Sequence, residues 1–359
     1  MAKKIFLVVA DATLSGAPKH VWLLSKGLNK QQYQPVVVCP NGWLAGQCRE
    51  NGIAVCRIAM TGLSDRDSIK KLRAAILKGK PALIHCHGLR AGWLGHWACR
   101  KLDVPFIYSE HLYTDNYHLT NSVLEWLQLK GLALIARAAR RVVAPSRAVE
   151  RFLRQNIGVQ RSRIQIIANG ITLRPVKSID TQELRIGFIG SLNRQKGVRD
   201  LIDAMSIVTK RFPNVQLDVI GDGPMKNELM GHASQASVSI KFYGVRGNID
   251  EYLSRWRFLV LPSISESFGQ VVLEAARAAL PTVATKVGGL KEVVLDSKTG
   301  LLVPPRRPDK LAVAIIKLLG APKATQKMGE YALKNFQKKY TAPIMVRQMS
   351  QLYLDVLKP

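Results

Sequence analysis

The sequence predicts an α/β protein built from two doubly wound, Rossmann-like parallel sheets. Three observations carry this reading. The 359 residues are enough for two domains. Short apolar runs alternate with stretches of helical spacing along the whole chain, the pattern of buried parallel strands and crossover helices. That alternation lapses over 174–181, which lacks periodicity and contains Pro175, so it reads as a linker. The expected organisation is an N-terminal domain over 1–173, a linker over 174–182, a second domain over 183–341 and a returning helix over 342–359.

Composition narrows the function classes. Hydrophobic residues make up 47% and charged residues 22%, the balance of a soluble globular protein. No stretch reaches the ~18 apolar residues that span a bilayer. Lys3 and Lys4 precede a short apolar run, but Asp11 cuts it off, so a buried first strand is expected rather than a signal peptide. The five cysteines (Cys39, Cys48, Cys56, Cys86, Cys99) are odd in number and form no C-x-x-C, so reduced thiols are expected. Net charge is +28. Residues 1–172 carry 25 basic and 9 acidic groups, and residues 173–359 carry 28 and 16. Such a surplus implies an anionic partner: a membrane surface, nucleic acid or an acidic glycan. No interleaved aromatic stripe or helix-turn-helix pattern supports nucleic acid.

Residues 5–10 read as the first strand and 20–28 as a helix, with Ser15 and Gly16 in the loop 11–18. A glycine at a strand-to-helix turn is where open α/β sheets bind ligands. A strand over 35–39, a helix over 43–51 and a strand over 54–58 follow. Residues 67–78 form a basic amphipathic helix with Ile69, Leu72, Ile76 and Leu77 toward the core. Strand 83–87 ends in His85 and His87, whose side chains point the same way. A metal pair would need a third ligand, which is missing nearby, so a non-metal role is expected. Strand 106–109 runs into Glu110 and His111. Residues 119–141 read as one long helical region rich in Trp and Leu, either touching lipid or buried as a core helix. A strand from 141, an Arg-rich helix over 148–157 and a strand over 164–169 complete the half.

The second half restarts with a strand over 184–189, then G-S-L-N-R-Q-K-G and a helix over 198–212. Lysine at a helix start beside glycines, here Lys196 before Gly197, is a natural diphosphate ligand. Next come a strand over 215–220, a turn over 221–224, a helix over 226–232 and a strand over 240–243. The most informative stretch is F-L-V-L-P-S-I-S-E-S-F-G-Q-V-V-L-E-A-A-R-A-A-L-P, residues 258–281. It reads as a strand over 258–261, a loop over 263–267 and a helix over 269–280 stopped by Pro281. Glu266 then lies at a helix N-terminus and Glu274 about two turns in. A helix start offers unpaired N–H groups and partial positive charge, which suit a phosphate. Gly269 lets a ligand approach the backbone, and the carboxylates can accept hydrogen bonds from hydroxyls. Phosphate flanked by hydroxyls describes a nucleotide sugar. On spacing alone, the two glutamates read more simply as a helix-end acid and a solvated helix face; the surrounding letters decide. A strand over 282–285 and helices over 309–319 and 342–357 close the chain.

Those letters, P-S-x-x-E-S-F-G-Q-V-x-L-E-A from Pro262 to Ala275, resemble the donor-site signature of retaining glycosyltransferases of family 4. Asn169-Gly170-Ile171, and Val287-Gly288-Gly289-Leu290 with Glu292, are similar to further segments of that family. The resemblance spans nearly the whole chain, close from Gly190 onward and looser before Asn169. It implies the GT-B fold, with two domains facing each other across a cleft and the last helix crossing back to the first. It implies that Glu266 holds the donor sugar hydroxyls and Glu274 the ribose. Lys196, Arg194 and the helix start at Gly269, Gln270 and Val271 would stabilise the diphosphate, with Ser267 and Phe268 in the same donor-binding stretch. His111 would lie beside the reacting sugar and Gly16 would face the diphosphate. Gly221 would sit near the nucleotide, and Gly244 and Val245 would resemble the base-binding segment. Two departures stand out. Ser15-Gly16-Ala17 replaces a usual glycine pair, and Ser191 stands where an arginine is usual, with Arg194 three residues on.

The expected activity is therefore that of a retaining glycosyltransferase, hexosyl- or N-acetylhexosaminyl-transferring. Its donor would be a nucleotide-diphosphate sugar, foremost a UDP-sugar. The acceptor would be a glycan or lipid-linked molecule of the cell envelope or an exopolysaccharide. No metal and no other cofactor is expected, because protein charge would stabilise the leaving group. A cytoplasmic protein, peripheral on the anionic inner face of the membrane, fits the charge; nucleic acid is not expected. The rival readings are a sugar-nucleotide epimerase of the same fold and a basic membrane or nucleic-acid binder without catalysis.

Overall fold

The computed structural model describes residues 2–114, 122–176, 179, 183–236 and 238–358. The chain divides into two units, one of Met1–Thr172 with Ala342–Pro359 and one of Leu173–Thr341.

The first unit runs β1 (Lys3–Val9), α1 (Gly16–Gly27), β2 (Tyr33–Cys39), α2 (Trp43–Glu50), β3 (Ala54–Arg57), α3 (Arg66–Gly79) and β4 (Leu83–His87). It continues with α4 (Leu89–Cys99), β5 (Phe106–Ser109), α5 (Ser122–Ala138), β6 (Arg141–Ala144), α6 (Arg147–Gln155) and β7 (Ile164–Ile166). The strands pair in parallel in the order β3-β2-β1-β4-β5-β6-β7. Side chains alternate across a strand. Accordingly Phe6 and Val8 of β1 join one core with Ile84 and Tyr108. Ile5, Leu7 and Val9 join another with Val21, Leu24 and Val37. Both faces are covered, which is why β1 reads as an unbroken apolar run.

The second unit runs β8 (Arg185–Ile189), α7 (Val198–Arg211), β9 (Gln216–Ile220), α8 (Lys226–Gln235), β10 (Ile240–Gly244), α9 (Asp250–Leu253) and β11 (Leu259–Leu261). Then follow α10 (Gln270–Arg277), β12 (Thr282–Thr285), α11 (Leu290–Val293), β13 (Gly300–Val303), α12 (Pro308–Leu319) and α13 (Pro322–Lys339). This sheet is also parallel, in the order β10-β9-β8-β11-β12-β13. The last helix, α14 (Ala342–Leu357), belongs to the first unit, where Met345, Val346, Met349 and Tyr353 enter the core beside α1. A Cβ on Gly27 of α1 would lie 2.7 Å from Val346 Cγ2, so the two helices meet closely there.

In both sheets the winding direction reverses once, between β1 and β4 and between β8 and β11. Such switch points open a crevice at the carboxyl ends of the strands, where open α/β sheets bind ligands.

Several elements differ from expectation. Helix α1 begins at Gly16, four residues early, because Pro18 is tolerated in a first turn. Helix α10 ends at Arg277, and Ala279 turns into the left-handed region with φ +54° before Pro281. Glu274 thus lies about one turn into its helix, not two. The expected helix over 119–141 is described as Ser122–Ala138, since Arg141 opens β6, and residues 115–121 lie outside the described residues. Helices α4, α9, α11 and α13 and strand β13 were not anticipated. In α4, Gly92 and Gly95 read as breakers, yet they are what lets the helix lie on the sheet. A Cβ at Gly92 would meet the Tyr108 ring at 2.7 Å, and one at Gly95 the Cys86 sulfur at 2.4 Å.

The two readings of α5 divide along its length. Leu132, Ile135 and Ala136 are fully buried, whereas Val123, Leu124, Trp126 and Leu127 are 47–66% exposed. Among the described residues no helix is long and apolar enough to cross a membrane.

Candidate active site

Strands β8 and β11 are neighbours, so the loops leaving their carboxyl ends meet at the switch point. The first loop leaves Gly190, makes a 3₁₀ turn over Arg194–Lys196 and enters α7 through Gly197. Asn193 shapes the turn by accepting the Gln195 N–H through its side chain at 3.1 Å. The second loop runs from Pro262 to Gly269. The two interlock through backbone groups, with the Ile264 N–H donating to the Gln195 carbonyl at 2.7 Å. Gly197 adopts φ +64°, and a Cβ there would sit 2.2 Å from the Pro262 carbonyl oxygen. Only glycine allows this approach.

The approach brings Lys196 to Glu266, with Nζ 2.5 Å from Oε2. The lysine side chain is 22% exposed and the glutamate 11%, so both stay reachable while partly screened from water. Ser263 Oγ donates to the same carboxylate oxygen at 3.4 Å. The Glu266 backbone is also fixed, its carbonyl accepting the Gly289 N–H at 3.0 Å. Glu266 is therefore held by both neighbouring loops.

Gly269 precedes α10 in the left-handed region, at φ +89°, and has no side chain with which to cap the first turn. A Cβ there would strike Leu290 at 2.6 Å. The Gln270 and Val271 side chains are partly buried, as are Ser267 and Glu274. Phe268 is 3% exposed and packs edge-on against Tyr340, so only its backbone can meet a ligand. That restricts the donor-binding role expected of it.

The remaining expected donor residues lie on neighbouring loops of the same sheet edge. Gly221 follows β9 with φ +137°, and its Cβ position lies 1.9 Å from the Gly190 carbonyl oxygen. Its glycine is thus explained by loop packing. Gly244 ends β10 with φ +70° and open space around its Cβ position, and Val245 is 65% exposed. Ser191 and Arg194 are both exposed, and the structure joins Arg194 to neither Glu266 nor Lys196 through a described contact.

In the first unit, Gly16 is exposed at the start of α1. The loop before it is organised by Asp11, which accepts from Thr13 N–H (2.8 Å), Thr13 Oγ1 (2.9 Å) and Ser15 Oγ (2.7 Å). Partial burial pushes the pKa of this carboxyl up, but these bonds outweigh it and hold it below the ordinary value.

The β1–β4 switch point also gathers four imidazoles. His85 and His87 end β4, His20 lies on α1 and His111 follows β5. Ring centroids are 4.1 Å apart for His85–His87, 5.2 Å for His20–His111 and 5.4 Å for both His20–His87 and His87–His111. His85 is held at both nitrogens, by Tyr353 Oη and Ser109 Oγ, each at 2.7 Å. His87 Nδ1 meets His111 Nε2 at 3.2 Å. Burial pushes His20 down to about 4. Burial and the neighbouring His20 push His111 down to about 3. His85 and His87 fall well below the ordinary range for the same first reason. All four are neutral near pH 7. Among the described residues no group of three or more His, Cys, Asp or Glu side chains is arranged to hold a metal ion.

The sequence reading gave no role to Glu110. It is 1% exposed and accepts from Tyr108 Oη (2.6 Å) and from the backbone N–H groups of His111 (2.8 Å), Leu112 (2.7 Å) and Tyr113 (3.2 Å). A lone acid at a strand end was its only signal.

Two parallel Rossmann-like sheets are the architecture of the GT-B class of glycosyltransferase fold. The solved structures agree on the fold. Anabaena HepE in complex with UDP-glucose superposes with a TM-score of 0.87 at 20% identity, covering 98% of this chain and 100% of that one. Sucrose-phosphate synthase from Thermosynechococcus elongatus gives 0.83 at 21% identity over 99% of each chain. The chain belongs to glycosyltransferase family 4: residues 14–174 match that family, and residues 171–335 match the glycosyl transferases of group 1. An uncharacterized glycosyltransferase of Methanocaldococcus jannaschii is 30% identical over 76% of this chain and 75% of its own length. A D-inositol 3-phosphate glycosyltransferase of Paenarthrobacter aurescens is 27% identical over 82% and 78%.

Proposed function

We propose that this glycosyltransferase moves a hexosyl or N-acetylhexosaminyl group from a UDP-sugar, with retention of anomeric configuration. The observation that carries this reading is the Lys196–Glu266 pair at the β8–β11 switch point, beside the amides that open α10. Each partner has a second task once a donor arrives. Lys196 and the amides of Gln270 and Val271 take the diphosphate, with Arg194 adding charge from the 3₁₀ turn. Glu266, released from the lysine, accepts from the donor sugar hydroxyls, and Glu274 accepts from the ribose. The choice of UDP is supported by HepE, whose structure holds UDP-glucose.

In the reaction the bond between the anomeric carbon and the diphosphate oxygen breaks. The acceptor hydroxyl oxygen bonds to that carbon from the same face. Its proton passes to the leaving phosphate oxygen, so no enzymic nucleophile is needed. The lysine charge and helix-start amides bear the growing negative charge, so no metal is required. From the first unit we assign His111 a role toward the reacting sugar and Gly16 one toward the diphosphate, as the family resemblance implies.

For the acceptor we propose a glycan or a lipid-linked carrier of envelope or exopolysaccharide synthesis, met at an anionic membrane face. Exposed Val123, Leu124, Trp126 and Leu127 on α5 favour this, with the Lys130 ammonium 5.5 Å from the Trp126 ring. The deciding experiment incubates the chain with a panel of nucleotide sugars and simple glycan acceptors, then reads the product anomer by NMR. Transfer with retention supports the proposal. Epimerised donor without transfer would favour the epimerase, and no turnover with any donor would favour a binder.

A further inference from the structure

His111 is held from two directions by residues to which the reaction assigns no task. From below, the buried Glu110 carboxylate accepts the backbone N–H of His111 and of the two residues after it. From the side, His87 Nδ1 lies 3.2 Å from His111 Nε2. His87 is itself fixed, since its ring packs 4.1 Å from His85, which is pinned by Tyr353 and Ser109.

The pairing has a consequence for proton placement. In a neutral pair, one nitrogen of the two must donate and the other accept. His87 Nε2 is buried and finds no hydrogen-bond partner among the described residues. If the His87 proton sat on Nε2, a buried donor would have no acceptor. If it sits on Nδ1, it is donated to His111, and only a lone pair goes unmatched. Buried donors without acceptors are the rarer and costlier case. The second arrangement therefore wins. His111 Nε2 is then the acceptor, and the remaining His111 proton resides on Nδ1.

We propose that His87 is a positioning residue that locks His111 in its Nδ1–H tautomer, with Glu110 fixing the same residue through the backbone. His111 thereby serves as a neutral hydrogen-bond donor from Nδ1. The claim deepens the proposed reaction and rests on it only for the kinetic consequence. It predicts that Nδ1 is the working atom of His111, the reverse of the Nε2–H tautomer that a free histidine side chain favours.

The test uses the full chain labelled with ¹⁵N-histidine and a two-bond ¹H–¹⁵N correlation spectrum. The wild-type His111 signal should show the Nδ1–H pattern. His87→Asn places an amide N–H near the original Nδ1 and should keep it. His87→Phe keeps a ring without a donor and should shift His111 toward Nε2–H. In the transfer assay His87→Phe should lower kcat by about 10²-fold, the scale of a misplaced catalytic group, with donor KM nearly unchanged. His87→Asn should recover most of that loss. An Nε2–H pattern in the wild-type chain, or an unshifted pattern in His87→Phe, overturns the proposal. Should His87→Phe not fold, the wild-type spectrum alone decides. The predicted spectra without a kinetic loss uphold the lock and remove His111 from the proposed reaction. A kinetic loss without the spectral change overturns the lock and leaves that reaction standing.

Discussion

Gly197→Ala should separate the two loops that assemble the site. Gly197 and Gly244 both have left-handed backbones, at φ +64° and +70°. Alanine costs about 1–2 kcal/mol at either position from conformation alone. Only Gly197 adds a collision. Its Cβ would sit 2.2 Å from the Pro262 carbonyl oxygen, whereas real Cβ contacts stay beyond 3.0 Å, so the loops must part by 0.8 Å or more. That stretches the 2.7 Å Ile264–Gln195 bond to the limit of a hydrogen bond and pulls Lys196 from Glu266. Overpacking of this kind adds about 1–3 kcal/mol, and a displacement near 1 Å at a reacting group costs about 10²-fold in rate. Both glycines lie in the second unit, so urea midpoints compare one transition in the two variants. Gly197→Ala should be the less stable by about 1–3 kcal/mol and should lose most donor turnover. If the variants are equally stable and Gly197→Ala turns over at the wild-type rate, the loop-assembly argument fails.

Lys196→Ala should reduce kcat by about 10²–10³-fold, about 3–4 kcal/mol of transition-state stabilisation, by analogy with a lost oxyanion donor. Glu274→Ala should instead weaken donor binding, and calorimetry with UDP checks the split. The histidine cluster predicts acid lability. Above pH 6.5 these imidazoles are neutral both folded and unfolded. Below it the unfolded chain takes up protons that the folded chain refuses, so stability falls with pH by about 1.4 kcal/mol per pH unit for each such histidine. For His20 the loss continues to about pH 4 and for His111 to about pH 3. Glu110, raised by burial, offsets part of it as the pH falls toward its ordinary 4.5. Denaturation midpoints at pH 7, 6 and 5 measure this, and His20→Asn should flatten the slope. For the membrane, co-sedimentation with anionic vesicles at moderate salt should drop in Trp126→Ser/Leu127→Ser; binding equal to the parent would remove α5 from that role.

Most sheet strands were legible because two buried faces turn them into uninterrupted apolar runs, as in residues 5–9 of β1 and in β11; β13 was not. Gly197 and Gly269 were legible as glycines at helix starts, but the close approaches that require them, to Pro262 and Leu290, were not. Helix α4 was not, because its two glycines serve packing against Tyr108 and Cys86, partners distant in sequence. The pairing of Lys196 with Glu266 could not be read from spacing, since it depends on β8 and β11 being neighbours. Glu110 was passed over because its value lies in wrapping the loop that follows, which one letter does not announce. Phe268 was placed with the ligand contacts because it stands inside the signature, but its ring serves the core beside Tyr340.

A structure of the chain bound to UDP tests the central claim most directly. The account predicts phosphate oxygens at about 2.7–3.2 Å from Lys196 Nζ and from the N–H groups of Gln270 and Val271, with the ribose on Glu274. A nucleotide seated away from α10, with Lys196 still closed on Glu266, would contradict it.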